Sequence, residues 1–288
     1  MVRLFVFGLG YTGSALARTV EAGGGSITGT RREGGEGTIA FDGSAPGAGV
    51  AAALAAASHV LVSVPPDAAG DPVLRHHGAD LAAARSLRWV GYLSTTGVYG
   101  DRGGGWVDEE SPRTPSGPRG RRRLAAEDAW LALGRDHGVP VHLFRLAGIY
   151  GPGRNALASV RAGTAKRIVK PGQVFSRIHL DDLVAVLRAS MARPIPGRVY
   201  NVCDDSPAPP DAVIAYACAL LGLPPPPAIP FAEADLSPMA RSFYADNKRV
   251  ANGRIKAELG VRLAYPDYRA GLEALLTTIP PAAPRACE

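Results

Sequence analysis

The chain has 288 residues, 46% of them hydrophobic and 20% charged, which is enough for one large α/β core with an appended lobe but too few for two full enzyme domains. Its net charge of +6 comes from basic residues spread along the chain apart from one cluster. A phosphorylated small molecule explains this charge distribution as well as nucleic acid does. The three cysteines have neither paired spacing nor a nearby ligand set, so we expect no disulfide framework and no metal site.

Strand and helix patterns alternate from the first residues of the chain. Residues 2–7 form an apolar run typical of a buried strand, and residues 13–22 and 26–30 continue as a helix and a second strand. The same rhythm predicts further pairs of a helix and a strand, at 50–57 and 59–64, at 80–86 and 89–94, and at 122–134 and 141–146. Such alternation indicates a doubly wound parallel sheet of the Rossmann type, covered by helices on both faces.

The rhythm changes after residue 151, where the elements become shorter and a proline-rich connection follows at 224–230. We expect a first domain over residues 1–150 and a smaller, substrate-binding lobe over 151–281 that is interleaved with it. A final helix is predicted at 268–277 with Leu272 and Leu275 on its core face, and residues 282–288 are expected to be a frayed tail. No stretch approaches about 18 uninterrupted apolar residues, so we expect a cytoplasmic protein without a membrane partner.

A glycine-rich turn joins the first strand to the first helix. Gly8, Gly10 and Gly13 show the spacing of a dinucleotide-binding turn, and Tyr11 and Thr12 lie inside it. Gly8 would permit the tight turn, Gly10 the approach of a pyrophosphate, and Gly13 the close packing of helix on sheet. The helix N-terminus would supply backbone donors to the phosphates. The sequence therefore predicts a nicotinamide dinucleotide cofactor at this turn.

The ends of two further strands bear on that cofactor. Arg31 and Arg32 follow the second strand, where an NAD-selective protein usually has a carboxylate for the ribose 2′-hydroxyl. Two guanidinium groups favour the 2′-phosphate of NADP, with NAD as the alternative cofactor. The other interpretation is that the arginines are solvent-exposed residues of a loop beside Glu33. Val64 and Pro65 end a later parallel strand, so we expect them to line the ligand crevice.

Several later segments carry a family likeness. They are residues 93–101 (LSTTGVYGD), 144–154 (FRLAGIYGPGR), 177–182 (RIHLDD) and 200–202 (YNV). With the glycine turn, they resemble the extended short-chain dehydrogenase/reductase superfamily in its epimerase and dehydratase group, and most of all its atypical YeeZ-like branch. The resemblance implies that Thr95 matches the catalytic Ser/Thr of the family.

The likeness fails at the catalytic Tyr-x-x-x-Lys pair, whose aligned positions hold Arg119 and Arg123. In the family, the tyrosine exchanges a proton with the carbonyl and the lysine holds the nicotinamide ribose. An arginine stays protonated near neutrality and cannot replace that tyrosine, whereas Arg123 can take over the anchoring role of the lysine. The resemblance also implies that Arg177 lies near a substrate phosphate.

Four arginines at positions 119, 121, 122 and 123 crowd the start of a predicted helix, where the helix dipole disfavours cations. Two explanations are open. Either an anionic ligand offsets the repulsion, or the cluster pairs on the surface with the nearby acids Asp108, Glu109 and Glu110.

Other side chains have two interpretations each. Tyr99, Tyr150 and His179 are candidate replacements for the missing acid/base, although tyrosines in such loops more often serve packing. Trp106 either covers the crevice or anchors a loop to the core. Asn247 either lines the substrate lobe, together with Lys248, Arg249 and residues 241–244, or caps the following helix.

These patterns predict an oxidoreductase or epimerase-like enzyme that prefers NADP. Its substrate would be small and polar, with phosphorylated compounds as candidates, and its partners would include no nucleic acid. The alternative is a catalytically inactive NADP(H)-binding sensor or regulatory protein, which the missing tyrosine motivates. The resemblance alone suggests a homodimer.

Overall fold

A computed structural model describes residues 1–278 of the chain, so the predicted tail lies outside the described residues. A seven-stranded sheet forms its centre, and every strand pair in this sheet is parallel. The strands of the described residues are β1 Arg3–Phe7, β2 Ser26–Arg31, β3 Thr38–Ala40, β4 His59–Val62, β5 Trp89–Thr95, β6 Trp106–Val107, β7 Val141–Leu146, β8 Gly148–Tyr150, β9 Arg167–Val169, β10 Arg177–His179, β11 Val199–Val202, β12 Ala228–Pro230 and β13 Arg249–Val250. The order in the central sheet is β3-β2-β1-β4-β5-β7-β11.

Helices cover both faces of this sheet, as the alternating pattern predicts. The helices of the described residues are α1 Tyr11–Ala22, α2 Val50–Ala56, α3 Pro72–Ala83, α4 Pro118–His137, α5 Ala156–Arg161, α6 Leu180–Ala192, α7 Pro210–Leu220, α8 Pro238–Phe243, α9 Gly253–Leu259 and α10 Tyr268–Thr277. One hydrophobic cluster joins the sheet to α1, α6 and α9, and a second joins its other face to α2, α3 and α4. The predicted Rossmann-type doubly wound fold is confirmed.

Residues after 150 contribute to three two-stranded parallel ladders: β12 pairs with β9, while β10 and β13 pair with the earlier strands β8 and β6. Helices α5, α7 and α10 share a separate hydrophobic cluster, in which Leu272 and Leu275 are buried as expected. Strand β11 instead joins the central sheet beside β7, so this part of the chain also completes the first core. Asp182 in α6 accepts hydrogen bonds from the backbone N–H groups of Ala264 and Tyr265 and thereby fixes the connection to α10.

The predicted helix over residues 80–86 is wrong in its bounds, because α3 spans Pro72–Ala83. The Asp71 side chain caps this helix by accepting hydrogen bonds from the N–H groups of Val73 and Leu74, and Pro72 occupies the first helical position. Helix α4 likewise begins at Pro118, four residues before the predicted start. Across residues 1–278, no helix is long and apolar enough to span a bilayer.

Candidate functional site

A cleft of about 840 Å³ lies between the carboxyl ends of the central strands and the residues of the second lobe. Residues from the glycine turn, from the ends of β4, β5 and β7, and from the start of α4 form one side. The segments around 174–177 and 240–250 form the other. In open parallel α/β sheets, ligands bind in the crevice outside the carboxyl ends of the strands, so this cleft is the candidate site.

The glycine turn has the geometry that the sequence predicts. Gly8 has a φ of +89°, and a Cβ there would lie 2.7 Å from the Ser63 Oγ. A Cβ on Gly13 would lie 2.6 Å from the Gly8 carbonyl oxygen, so α1 can approach the turn only without a side chain there. Gly10 differs, because a Cβ on it would meet no heavy atom of the described residues within 4 Å beyond its own turn. Gly10 itself lines the cleft, so its missing side chain leaves room for a ligand.

The N-terminus of α1 opens into the cleft at Gly10, Tyr11 and Thr12. No side chain of residues 1–278 caps this helix, and its first turn contains no acid. The Tyr11 hydroxyl donates a hydrogen bond to the Pro152 carbonyl oxygen at 2.9 Å, and the Arg154 guanidinium lies 5.9 Å from the centre of the Tyr11 ring. Free backbone donors and a neighbouring cation make this end of the cleft a suitable site for a pyrophosphate.

Arg31 and Arg32 are exposed at and just beyond the carboxyl end of β2. Within the described part of the chain, neither side chain forms a hydrogen bond or a salt bridge. This strand end is tied to the glycine turn, because Thr30 accepts hydrogen bonds from the N–H groups of Gly8 and Leu9. Of the residues after β4, Pro65 lines the cleft, whereas Val64 lies behind the turn and packs toward Gly8.

Thr95 ends β5 inside the cleft. Its Oγ1 accepts a hydrogen bond from the Gly97 N–H at 3.1 Å, so its hydroxyl hydrogen remains available to a ligand. The neighbouring Ser94 hydroxyl is already committed, because it donates to the Glu127 carboxylate at 2.6 Å. Of these two adjacent hydroxyls, Thr95 is therefore the one that can orient a substrate.

Arg119 and Arg123 both line the cleft from the first turns of α4. The Arg123 Nη1 donates hydrogen bonds to the Leu93 carbonyl oxygen at 2.6 Å and to the Tyr92 hydroxyl at 3.0 Å, and the guanidinium lies over the Tyr92 ring. Arg119 is exposed, and its guanidinium lies 5.5 Å from the centre of the Phe243 ring of α8. Neither arginine forms a salt bridge within residues 1–278.

The acidic partners that the sequence suggested for this arginine cluster are wrong. Glu109 and Glu110 form salt bridges with Arg254 of α9, and Asp108 binds the Ser111 hydroxyl. Residues 108–110 lie against the second lobe, because the Glu109 carboxylate also accepts the Asn201 N–H of β11. Of the two explanations for the cluster, the surface pairing is therefore excluded.

Arg177 of β10 lines the opposite wall of the cleft. Its Nη1 donates to the carbonyl oxygens of Phe175 and Ala208 at 2.8 and 3.1 Å. The nearby Asp204 is buried, and one of its carboxylate oxygens has no hydrogen-bond partner within the described chain. Burial raises the Asp204 pKa to about 7, against the opposing effects of the Ser206 N–H and the Arg177 charge.

The three candidate replacements for the acid/base have different surroundings. Tyr99 is fully buried, and its hydroxyl bonds Asn201 and Arg145, which is a packing role. His179 is buried and caps α6 through its Nδ1. Tyr150 alone of the three lines the cleft, and burial raises its pKa. A phenol with a raised pKa keeps its proton and is a poor base near neutrality.

Lys248 is a titratable group of the cleft that the sequence marked only as part of the lobe lining. Its side chain is buried, and its Nζ donates to the Gly100 carbonyl oxygen at 2.8 Å and to the Asp246 carboxylate at 3.1 Å. Burial lowers the Lys248 pKa, and the Asp246 charge opposes that shift. A shift of this sign brings an amine closer to proton exchange at neutral pH.

Two other interpretations fail. Trp106 does not line the cleft and is 62% exposed, so it neither covers the crevice nor anchors a loop in the core. Asn247 does not cap a helix, because Asn252 precedes α9. The Asn247 side chain instead bonds Gly172 and Val174, and its backbone bonds Asp101 and Arg102 across the two lobes.

Arg154 is a residue of the cleft that sequence reasoning missed, whereas Phe243 belongs to the segment 241–244 that the sequence offered as a lining of the substrate lobe. Arg154 closes a turn with Gly151, and the Gly-Pro-Gly-Arg run over 151–154 was its only signal. Phe243 lies on α8, a six-residue helix beyond the proline-rich connection, where no periodic pattern is long enough to predict which face points inward.

Comparison with known families and proteins agrees with this geometry. Residues 72–203 match the model of the NAD dependent epimerase/dehydratase family. The chain is 32% identical to protein YeeZ of Escherichia coli K12 over 194 residues, which are 65% of this chain and 62% of YeeZ. The match thus spans less than two thirds of the length of that curated relative.

Two solved structures extend the comparison to nearly the whole chain. A conserved protein of unknown function from Silicibacter pomeroyi is 53% identical, with a TM-score of 0.87 over 96% of this chain and 99% of its own. The human epimerase family protein SDR39U1, crystallised with NADPH, is 19% identical, with a TM-score of 0.74 over 96% of this chain and 100% of its own. The second likeness concerns the fold alone.

Proposed function

Because the chain belongs to the NAD dependent epimerase/dehydratase family, we propose that it is an oxidoreductase or epimerase-like enzyme that binds NADP in preference to NAD. One observation carries the proposal: the uncapped N-terminus of α1 opens into the cleft at Gly10, where a side chain would occupy free space. Backbone donors and the helix dipole at such an end favour a diphosphate.

Different residues of the first lobe bind different parts of the cofactor. The backbone of residues 10–12 binds the pyrophosphate, with Arg154 as a nearby countercharge. Gly8 and Gly13 give the turn its shape rather than touching the ligand. Pro65 lies against the cofactor from the end of β4, and Arg123 holds the nicotinamide ribose in place of the family's lysine. A bound nicotinamide supplies hydride transfer, and Thr95 orients the substrate oxygen next to it.

Arg31 and Arg32 are the basis for the NADP preference. Both are exposed beside the glycine turn and form no salt bridge within residues 1–278, so a 2′-phosphate at this strand end would meet two guanidinium groups. The pKa of Asp42 is lowered mainly by its hydrogen bonds with Ser44 and also by the charge of Arg32, so this carboxylate lies near one of the two arginines. An enzyme that binds NAD in this fold instead uses a carboxylate for the ribose hydroxyls. The human structure with NADPH shows that this fold accepts the phosphorylated cofactor in that protein.

Proton exchange requires a group other than the missing tyrosine, and we assign it to Lys248. This amine lies in the cleft with two of its three donor positions occupied by Gly100 and Asp246, which leaves one for a substrate. The assignment predicts that the pH profile of turnover follows an amine with a lowered pKa and disappears in a Lys248→Met variant. A Lys248→Arg variant keeps the charge but not the exchangeable proton, so it should also be inactive.

Calorimetric titration of the protein with NADPH, NADP, NADH and NAD is the direct test of the proposal. We expect NADP(H) to bind at least about tenfold more tightly than NAD(H), which corresponds to ~1.4 kcal/mol. An Arg31→Ala/Arg32→Ala variant should lose this preference while still binding NADH. The matched control is Arg85→Ala/Arg88→Ala, which removes two exposed arginines at the amino edge of the sheet, away from the cleft.

The outcomes separate the parts of the proposal. Absence of binding for all four cofactors would refute it entirely. Equal affinity for NADPH and NADH would refute the NADP preference alone. Tight binding without any turnover across a broad panel of small polar metabolites would favour the inactive sensor, which no contact in the cleft favours at present.

A further inference from the structure

The cleft is far more basic than the rest of the molecule. Five cationic side chains line it, against one carboxylate, Asp246, which is already paired with Lys248. Within residues 1–278 the other four cations form no salt bridge; they are Arg119, Arg123, Arg154 and Arg177. Some arginines elsewhere in the described chain do pair with carboxylates, as Arg75 does with Asp67 and Arg198 with Glu258.

The proposed cofactor and the fold account for three of these four arginines. Arg154 lies beside the glycine turn, where the pyrophosphate would bind. Arg123 is held on the Leu93 carbonyl oxygen in the place of the ribose-binding lysine. Arg177 binds two backbone carbonyl oxygens and faces the buried Asp204 carboxyl. Arg119 has no such explanation.

The position of Arg119 is electrostatically unfavourable without a ligand. It is the second residue of α4, where the helix dipole disfavours a cation, and three more arginines follow within four residues. No side chain of the described residues caps this helix end. An anion bound at Arg119 would relieve both the dipole and the mutual repulsion.

The contact between Arg119 and Phe243 orients the guanidinium for such a role. A guanidinium that lies over an aromatic ring keeps its N–H groups free to form hydrogen bonds in its own plane. Phe243 is 50% exposed and lines the cleft, so it also presents an apolar surface beside the charge. Phe175 and Tyr244 continue this aromatic surface on the same side of the cleft.

We infer that Arg119 is a substrate-binding residue, and that the substrate carries an acidic group, a carboxylate or a phosphate, attached to an apolar or aromatic body. The acidic group binds the Arg119 guanidinium, and the body lies against Phe243. This inference rests on the proposed function, because it assigns the remainder of the same cleft to the substrate. The position of the family's proton donor thereby becomes a recognition site.

The test uses the full chain saturated with NADPH and titrates it with three probes of similar size. Benzoate and phenyl phosphate carry the two candidate acidic groups, and benzamide is their neutral counterpart. We expect one or both anions to bind at least about tenfold more tightly than benzamide, because only the anions form charge-assisted hydrogen bonds with the guanidinium. Comparison of the two anions distinguishes a carboxylate from a phosphate substrate.

Variants assign the preference to one side chain. Arg119→Gln should reduce the anion preference to about twofold or less while leaving NADPH affinity within about twofold of the parent. Arg122→Gln is the matched control, because it removes an exposed arginine from the same turns of α4 that does not line the cleft. It should leave the probe preference unchanged. Arg119→Lys keeps the charge without the planar fork, so an intermediate preference is expected.

Two results would overturn the inference while leaving the proposed function intact. One is NADPH-saturated protein that binds no anion, or binds it no better than benzamide. The other is an anion preference that survives Arg119→Gln or is lost equally in Arg122→Gln. Failure of the protein to bind NADPH at all is a different outcome, because it refutes the proposed function on which the inference rests.

Discussion

One face of α4 carries Arg119, Arg123 and Glu127 at four-residue spacing, and charge is balanced differently in the first turns of this helix and in its middle. Glu127 is fully buried and forms a salt bridge at 2.8 Å with the buried Arg145 of β7. The two arginines one and two turns earlier line the cleft and form no salt bridge within residues 1–278. The comparison teaches that charges on one helix face are balanced internally where they hold the sheet and left unbalanced where a ligand is to bind.

The first prediction tests the salt bridge in the middle of α4, between Glu127 and Arg145. Glu127→Gln leaves the buried Arg145 charge without its partner, and breaking such a pair costs about 3–5 kcal/mol. Arg119→Gln removes a charge that nothing in the described chain balances, so it should change the unfolding free energy by less than about 0.5 kcal/mol. Urea unfolding of both variants measures the contrast. Equal losses of stability in the two variants would mean that the charges of the first turn and of the middle of α4 are balanced to the same degree.

Asp204 and Arg177 are intermediate between the salt-bridged Glu127 and the unpaired arginines of α4, because the two groups lie close to each other without a hydrogen bond between their side chains. Folding raises the Asp204 pKa from 3.8 to about 7, so the folded state holds a proton that the unfolded state releases. The contribution of this group to stability therefore falls as the pH rises from about 4 to about 7. Between pH 5 and pH 8 the loss amounts to about 2–3 kcal/mol.

An Asp204→Asn variant should lack that loss. Compared with the parent, it should gain stability steadily between pH 5 and pH 8 in denaturant titrations. An unchanged difference between the two proteins across this range would show that the carboxyl is ionised throughout, with Arg177 as a true partner. Arg177 would then be an arginine whose charge is balanced by a carboxylate of the protein, as that of Arg145 is by Glu127.

The third prediction concerns Arg123, the unbalanced residue nearest to Glu127. Arg123→Met should weaken NADPH binding about tenfold, because it removes a charged donor from the proposed ribose site. Arg123→Lys should retain most of the affinity, and Arg122→Met should be neutral. Calorimetry measures all three. Unchanged affinity in Arg123→Met would make this arginine a structural clamp for the Leu93 carbonyl oxygen rather than a cofactor residue.

The smallest effect is expected at Arg113, the second partner of Glu127. Its side chain is 31% exposed and also binds the exposed Asp128. Arg113→Gln should therefore cost no more than about 1 kcal/mol, and the cost should shrink in 1 M salt. If Arg113→Gln lost as much unfolding free energy as Glu127→Gln does, the half-exposed Arg113 would belong to the same stabilising network as the buried pair.

Much of the central fold follows from local pattern in the sequence. The glycine turn, the buried strands and the final helix were predictable because apolar runs, helical periodicity and glycine spacing act within a few residues of one another. The start of α3 is also encoded locally, because Asp71 and Pro72 are typical of a helix N-terminus, but the helix predicted at 80–86 does not use this signal.

The site was less predictable, because its second wall comes from distant segments. The pairing of Glu109 and Glu110 with Arg254 joins positions more than 140 residues apart, and no spacing rule connects them. The likeness to a family located Thr95 and Arg123 in the cleft. It could not predict that Phe243 would lie over Arg119, since that contact depends on how a short helix of the second lobe is placed.

The position of β11 has a consequence for handling the protein in pieces. This strand, contributed by residues 199–202, covers one hydrogen-bonding edge of β7, all six residues of which are buried. A fragment that stops at residue 150 would keep the whole glycine turn but expose that edge as unpaired N–H and C=O groups on an apolar strand. Such edges recruit strands from other molecules. The isolated fragment should therefore aggregate, however complete its nucleotide-binding turn is.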